Sequence, residues 1–403
     1  MNLQKKRMKV LFLTTAFPYK YDSKMGGKFI QELALGLSER GVHVDVLSPH
    51  NKGFVSKVKI DSVTVYYFKY FFPYGLERLA YGSGLLVNLR RNKLVYLLVP
   101  VFFLAYIVKF LRIQHKYDLF HAHWWQNAIP AFIVKKILKK PYIVTIRGSD
   151  VWNISNKRLL TKAAKLILNN ASSVTTPALS TVSELEKIGF KDSKVIHNPY
   201  GKIRQVKQIP GKATKKALGL DESFVVLFVG RYMKEKNPIL LVKAAIALSK
   251  EERYKKIKYI LAGGGYQREL LESLVLDNKL KDNVFIYGYR EDILNFYNFT
   301  DIYISPSTFE NIWSNSLIEA VMMGIPCIVT RVGATEKEFT HMKNALLIEP
   351  KLDDLANAIR LFYDDTQLRN KIGKGGRELF EQKFDYNKTI NNYIDLYSEA
   401  LGK

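Results

Sequence analysis

Cysteine is almost absent from this chain of 403 residues: Cys327 is the only one. No intramolecular disulfide can form, and no cysteine cluster can hold a metal, so a reducing compartment fits. Cys327 lies in the apolar run "GIPCIVT" and reads as a buried, inert thiol. Long apolar runs are scarce too. The most apolar stretch, Leu94–Val108 ("LVYLLVPVFFLAYIV"), has 15 residues with Pro100 inside it. That is short of the roughly 18–20 needed to cross a bilayer, so a core helix or a membrane-facing helix is expected. The start, "MNLQKKRMKVLFLTTAF", is basic and then apolar, like a secretion signal. It lacks a small-residue cleavage site, and Val10–Thr14 reads instead as a first strand.

Acidic residues are short in one half only. Residues 1–200 hold 31 Lys+Arg against 11 Asp+Glu, whereas 201–403 hold 31 against 26; the whole chain is at +25. A solvated lysine-rich surface explains this, as does an anionic partner. Basic residues mix with aromatics around Tyr66–Tyr81, Arg90–Arg91 and Lys109–Lys116. Apolar bulk beside positive charge suits a lipid interface. No nucleic-acid motif is legible, and no long repeat or low-complexity tract occurs.

What remains is an ordinary globular composition, 47% hydrophobic and 13% aromatic, at a length that fits two domains. Short β-branched runs alternate with amphipathic stretches. "KVLFLTT", "VHVDVLSP", "YDLFHAHW", "PYIVTIRG" and "VIHNPY" read as strands, and "GKFIQELALGLSERG" as a helix stopped by Gly41. The pattern restarts with "FVVLFVG", the helix "PILLVKAAIALSK", "KYILAGGG", "NVFIYGY", "IYISPS" and "PCIVT". Two βαβα series predict two doubly wound parallel sheets. The expected domains are 1–200 and 223–384, with a polar linker over 201–222 and a helix over 385–403 that returns to the first domain.

In such sheets ligands bind beyond the carboxyl ends of the strands, so the residues just after each strand matter. Gly230, Arg231 and Lys236 follow "FVVLFVG". Two cations there suit a diphosphate, the arginine as a fork and the lysine as a point charge; solvated surface cations are the plain alternative. Gly26 and Gly27 precede the first helix, where a phosphate or sugar can approach free amides. Glu310 follows "IYISPS", and Glu319 lies one turn into the helix "NSLIEAVMMG". A carboxylate drawn into an apolar run needs partners. The vicinal hydroxyls of a ribose would supply two; a helix-dipole role is the alternative. His123 in "HAHW" is a candidate imidazole at a strand end, with His121 packed.

Taken in order, Gly26-Gly27, "FHAHW", "VTIRGSD", "VIHNP", "VGRYMKEKNP", "LAGGG", the glutamate pair with "EAVMMGIPCIVT", and "VGATEKE" resemble the retaining nucleotide-sugar glycosyltransferases of family 4. The resemblance spans nearly the whole chain. It implies the GT-B fold, two Rossmann-like domains facing across a cleft, the first for the acceptor and the second for the donor. It implies that Arg231 and Lys236 bind the donor diphosphate and stabilise it as it leaves. Glu319 would hold the ribose and Glu310 the transferred sugar, with amides of Asn311, Ile312, Ser316 and Leu317 on the sugar and phosphates. His123, Arg147 and Asp150 would line the first domain's side, and Arg290 the base edge. No cofactor or divalent metal is implied: the acceptor hydroxyl attacks on the face the diphosphate leaves, and a phosphate oxygen takes its proton.

Two departures stand out. The family usually spaces its glutamates eight apart; here they are nine apart, with Trp313 between. Arg147 stands where the family commonly has histidine, and would suit an anionic group on the sugar, the acceptor or a phosphate. The expected partners are a nucleotide sugar, a saccharide or lipid-linked acceptor and an anionic membrane. The expected place is the cytoplasmic membrane face, in cell-surface polysaccharide or glycolipid synthesis. An epimerase of the same fold, a binding protein without catalysis, and a nucleic-acid binder are the competing readings.

Overall fold

The computed structural model describes residues 7–19, 27–51, 53–80, 88–89, 93–152, 154, 157–200, 215–290, 292–310 and 312–402. Its contacts divide the chain into two units, Met1–Ile203 with Phe384–Lys403, and Arg204–Lys383. Gly26, Arg90, Arg91, Asn311 and residues 201–214 of the expected linker lie outside the described residues.

The first unit is built on β1 (Lys9–Leu13), β2 (His43–Pro49), β3 (Lys57–Ile60), β4 (Val63–Phe68), β5 (Leu119–His123), β6 (Tyr142–Thr145), β7 (Ser173–Thr176) and β8 (Lys194–Val195). They lie in the order β3-β4-β2-β1-β5-β6-β7-β8, all parallel except the β3–β4 pair. Val10–Leu13 are wholly buried. Val10 and Phe12 pack with Val44, Val46 and Leu33, while Leu11 and Leu13 pack with Leu47 and Phe120 in a separate core. A strand buried on both faces needs a continuous apolar run, which "VLFL" supplies.

The second unit orders β11 (Val284–Tyr287), β10 (Ile257–Ala262), β9 (Phe224–Val229), β12 (Ile302–Ser305), β13 (Cys327–Thr330) and β14 (Leu346–Ile348), all parallel. In each sheet the order reverses at one point, β1/β5 in the first and β9/β12 in the second. Chains leaving the carboxyl ends of those pairs diverge and open a crevice.

The sequence expectation differs from the structure in five places, one of them β7, which no expected strand covers. β3 and β4 form an antiparallel pair that no expected strand covers; only the end of β4 reaches the aromatic-basic region, and Tyr67 and Phe68 there are buried. β14 has only three residues and no legible flank. "VIHNPY" yields only the two-residue β8. Pro199 disfavours helix before it and has no amide to donate, and the His197 ring turns to the Pro177 carbonyl at 2.7 Å. Pro100 does not interrupt its helix. It sits in the first turn of Leu98–Ile113, where a missing N–H costs nothing. With the 3-10 turn Lys93–Leu97, the stretch Leu94–Lys116 is then 23 residues, long and apolar enough to cross a membrane by length and composition. Yet Phe102, Tyr106 and Phe110 are wholly buried among Phe68, Tyr70 and Phe120. One face belongs to the core, while Leu97, Val101, Leu104, Val108 and Leu111 on the other are exposed.

The last helix, Tyr386–Ala400, is capped by Asp385, whose side chain accepts from the Lys388 amide at 2.7 Å. Ile390, Tyr393 and Tyr397 join the core of the first unit. Gly36 of helix Lys28–Glu39 permits this, because a Cβ there would lie 2.5 Å from the Tyr386 hydroxyl.

Candidate active site

In the second unit the reversal point gathers two loops. The chain leaving β9 passes Gly230, exposed Arg231 and half-buried Lys236, then Asn237 at positive φ and Pro238, which opens helix Pro238–Leu248. The chain leaving β12 passes Ser307 to Glu310 and reaches helix Asn315–Met322. The loops are joined by the Thr308 amide, which donates to the Glu235 carbonyl at 2.9 Å. Glycines allow backbone to close on backbone here. A Cβ at Gly263 would lie 1.9 Å from the Gly230 oxygen, and one at Gly333 would lie 2.1 Å from the Glu310 oxygen. Gly333 also has φ +54, and Ala334 donates to that Glu310 oxygen at 2.9 Å.

Glu310 is 6% exposed. Its Oε1 accepts from the Lys236 ammonium and from Ser307 Oγ, the latter at 2.8 Å. The sequence proposed separate duties for Lys236 and Glu310; the fold makes them an ion pair. No local pattern announces this, since 74 positions separate them. Glu319 is half-buried. Its Oε2 lies 3.1 Å from the Tyr297 hydroxyl, which also lies 3.0 Å from the Ser316 carbonyl. The single phenolic proton serves one of these acceptors at a time. The Ser316 hydroxyl lies 2.9 Å from Tyr303 Oη.

Helix Asn315–Met322 begins where expected, with Ser314 as its cap. That cap corrects one expectation: the Leu317 amide already donates to Ser314 Oγ at 3.3 Å. Four residues, Asn311 to Ser314, separate Glu310 from the helix. Trp313 is buried there and stacks on Phe339, ring centroids 4.2 Å apart. Ile312 is half-buried beside it. Arg290 is engaged by Asp292 through both Nε and Nη2, at 2.8 and 2.7 Å, and lies over Tyr287 and Phe296. One edge of its fork is therefore spent within the protein. Cys327 is buried as expected, and burial pushes its thiol pKa up.

In the first unit Gly27 caps helix Lys28–Glu39 at φ +92, and a Cβ there would lie 2.4 Å from the Ala16 oxygen. His123 ends β5 but is wholly buried, which corrects its expected exposure. Its Nδ1 lies 2.9 Å from Arg147 Nη2. His121 is packed, between the Tyr397 hydroxyl at 2.6 Å and Thr145 Oγ1 at 2.7 Å. Burial and the neighbouring Arg147 hold both imidazoles well below the usual histidine range. Asp150 is buried, and its carboxylate accepts from the amides of Arg147 and Trp125 at 3.1 and 3.3 Å. It ties the ends of β5 and β6 together rather than facing a ligand. Burial raises its pKa to about 6. Arg147, 5% exposed, donates to Asn198 and lies 4.4 Å over the Phe29 ring. Among the described residues no three His, Cys, Asp or Glu side chains gather as a metal site.

Comparison with known proteins agrees with this geometry. Residues 212–379 match the family model of glycosyl transferases group 1, and residues 26–201 match that of a glycosyl transferase 4-like domain. An Escherichia coli UDP-Gal:alpha-D-GlcNAc-diphosphoundecaprenol alpha-1,3-galactosyltransferase is 26% identical over 300 residues, 72% of this chain and 77% of that one. An N-acetyl-alpha-D-glucosaminyl L-malate synthase of Bacillus anthracis is 24% identical over 291 residues, 70% and 75% of the two chains. In fold, a sucrose-phosphate synthase of Thermosynechococcus elongatus is similar at a TM-score of 0.76, with 19% identity over 98% of this chain and 100% of that one. Anabaena HepE, solved with UDP, is similar at 0.71, with 18% identity over 97% and 99%. Two matched models covering both sheets, and structural neighbours over nearly the full length, leave one assignment: the chain belongs to the group 1 glycosyltransferases of the GT-B fold.

Proposed function

We propose that the second unit binds a nucleoside-diphosphate sugar and that its sugar passes, with retention at the anomeric carbon, to a saccharide or lipid-linked saccharide on the first unit. The observation that carries this is the Lys236–Glu310 ion pair at the β9/β12 reversal, with Arg231 in the same loop as Lys236 and Glu319 in the adjoining helix. Arg231, exposed and without an ion pair among the described residues, takes the diphosphate. Lys236 reaches from Glu310 toward the same phosphates. As the bond to the sugar breaks, negative charge grows on the leaving oxygen, and both cations stabilise it more than they stabilise the ground state. They supply the charge a divalent metal would otherwise bring. Glu310, held by Lys236 and Ser307, keeps lone pairs for sugar hydroxyls. Glu319 accepts from the ribose, with Tyr297 able to rotate its proton toward Ser316.

The named relatives act on a lipid-diphosphate-linked sugar and on L-malate, which supports a small or lipid-linked acceptor. The exposed stripe on helix Leu98–Ile113 supports a place at the cytoplasmic membrane face. No acid occurs from Leu94 to Tyr117, while Lys109, Arg112 and Lys116 do. Apolar bulk rimmed by positive charge matches an anionic lipid surface.

The test is thermal stability with a panel of nucleotides and nucleotide sugars. A ligand at a hundred times its dissociation constant adds about 2.7 kcal/mol. One diphosphate class is expected to stabilise the wild type, with the effect lost in Glu319→Ala. No shift with any nucleotide would overturn the donor reading.

A further inference from the structure

Arg147 is a buried cation whose partners are all neutral. Its guanidinium donates to Asn198, meets His123 Nδ1 at 2.9 Å and stacks on Phe29. It makes no ion pair with a carboxylate among the described residues. The nearby acid, Asp150, spends both oxygens on backbone amides. The Asp150 charge acts on the guanidinium through space, but no carboxylate bonds it directly, and a buried charge is most stable when paired and hydrogen-bonded.

A second observation points the same way. Arg147 Nε is buried with no hydrogen-bond partner, and so is His123 Nε2. Because Nδ1 of the neutral His123 ring accepts from Arg147, the ring proton resides on Nε2, a donor with nothing to bond. Thr176 Oγ1, ending the neighbouring β7, is also unpartnered. Orphaned buried polar groups are rare in native proteins. Here three occur on adjacent strand ends, at the carboxyl edge where ligands of such sheets bind. Two of them are N–H donors, one on the cation itself and one on the histidine beside it.

We propose that Arg147, backed by the His123 Nε2 donor, receives an oxyanion carried by the acceptor, the carboxylate of a sugar acid or the phosphate of a phosphorylated sugar or lipid. Arg231 and Lys236 already serve the donor diphosphate in the second unit, which leaves the first unit's arginine for a different anion. Its planar fork suits both carboxylate and phosphate. This rests on the reading of the first unit as the acceptor side.

The experiment uses the full chain and measures binding by thermal shift. The probes are methyl glucuronide and glucose 1-phosphate against methyl glucoside, with inorganic phosphate as a fourth arm, all at one ionic strength. The wild type is expected to prefer an anionic probe over the neutral one by about 10- to 100-fold, the discrimination of a charge-assisted hydrogen bond. The two anionic arms decide between carboxylate and phosphate. Arg147→Met removes the charge and abolishes the preference. Arg147→His, the residue the family commonly has, does so while keeping a side chain the fold accepts. Retention of the preference in both variants overturns the proposal, as does its absence from the wild type. Nucleotide shifts are read in parallel. If they persist in the Arg147 variants, the donor site is intact and the loss belongs to the anion. If they are absent from the wild type, the donor reading fails while the anion preference stands or falls by itself.

Discussion

Replacing Leu97 and Leu104 together by serine tests the proposed membrane role of the exposed stripe formed by Leu97 and helix Leu98–Ile113. Seven positions apart, they lie on one face, and they are 74% and 63% exposed. Fully burying a leucine side chain is worth roughly 1.5–3 kcal/mol. Scaled by those exposures, the pair would contribute about 2–4 kcal/mol to insertion, or roughly 30- to 1,000-fold in partitioning. Neither side chain belongs to the core, so folding stability should change by no more than about 0.5 kcal/mol. The assay is flotation with vesicles rich in phosphatidylglycerol at low salt, with melting curves for both proteins. The wild type is expected to float and the variant to stay behind, with unchanged melting. Equal flotation of the two, or a wild type that leaves the vesicles and sediments as a dimer, refutes the reasoning. High salt should weaken wild-type binding only in part, since Lys109, Arg112 and Lys116 act through a screened field and the leucines do not.

Trp313→Ala should destabilise the second unit by about 3–5 kcal/mol, the cost of emptying a buried aromatic site. Denaturant unfolding measures it, and nucleotide affinity should fall too, because the Phe339 stack anchors the loop between Glu310 and the helix. Asp150 gives a pH signature. Its pKa is raised from 3.8 to about 6 in the folded state, so the native protein holds the proton more tightly than the unfolded one. Its contribution is therefore present below pH 3.8 and is lost as pH rises through 6, about 3 kcal/mol in all. Asp150→Asn should flatten that part of the stability profile, and an unchanged slope would place the titration elsewhere.

Much of the fold was legible because it rests on local patterning. Continuous apolar runs marked β1, β5, β9 and β12, and the loops after β9 and β12 were found from their cations and acids. The start of helix Asn315–Met322 was placed from its sequence, whereas its Ser314 cap emerged only from the structure. What escaped were short strands whose existence depends on a neighbour. β14 is held by β13, and β7 by β6, and neither carries a run long enough to stand out. Pro100 misled for a related reason. A proline reads as an interruption until the helix start is known, and the start lies only two residues before it.

The site chemistry split along the same line. Which side chains sit near a strand end is local information; which side chains meet is not. Glu310 was placed correctly, but its ion pair with Lys236 crosses from one loop to another. His123 was read as a candidate imidazole because it ends a strand. Phe12 from β1, His121 from its own strand and Arg147 from after β6 enclose it. The substitution of arginine for the family's histidine, seen in isolation, is a change of charge. Enclosed by Asn198, Phe29 and His123, it becomes a cation that no carboxylate bonds, with Asp150 acting only through space. Because Asp150 spends both oxygens on backbone amides, the direct partner of that charge is sought in what the first unit binds.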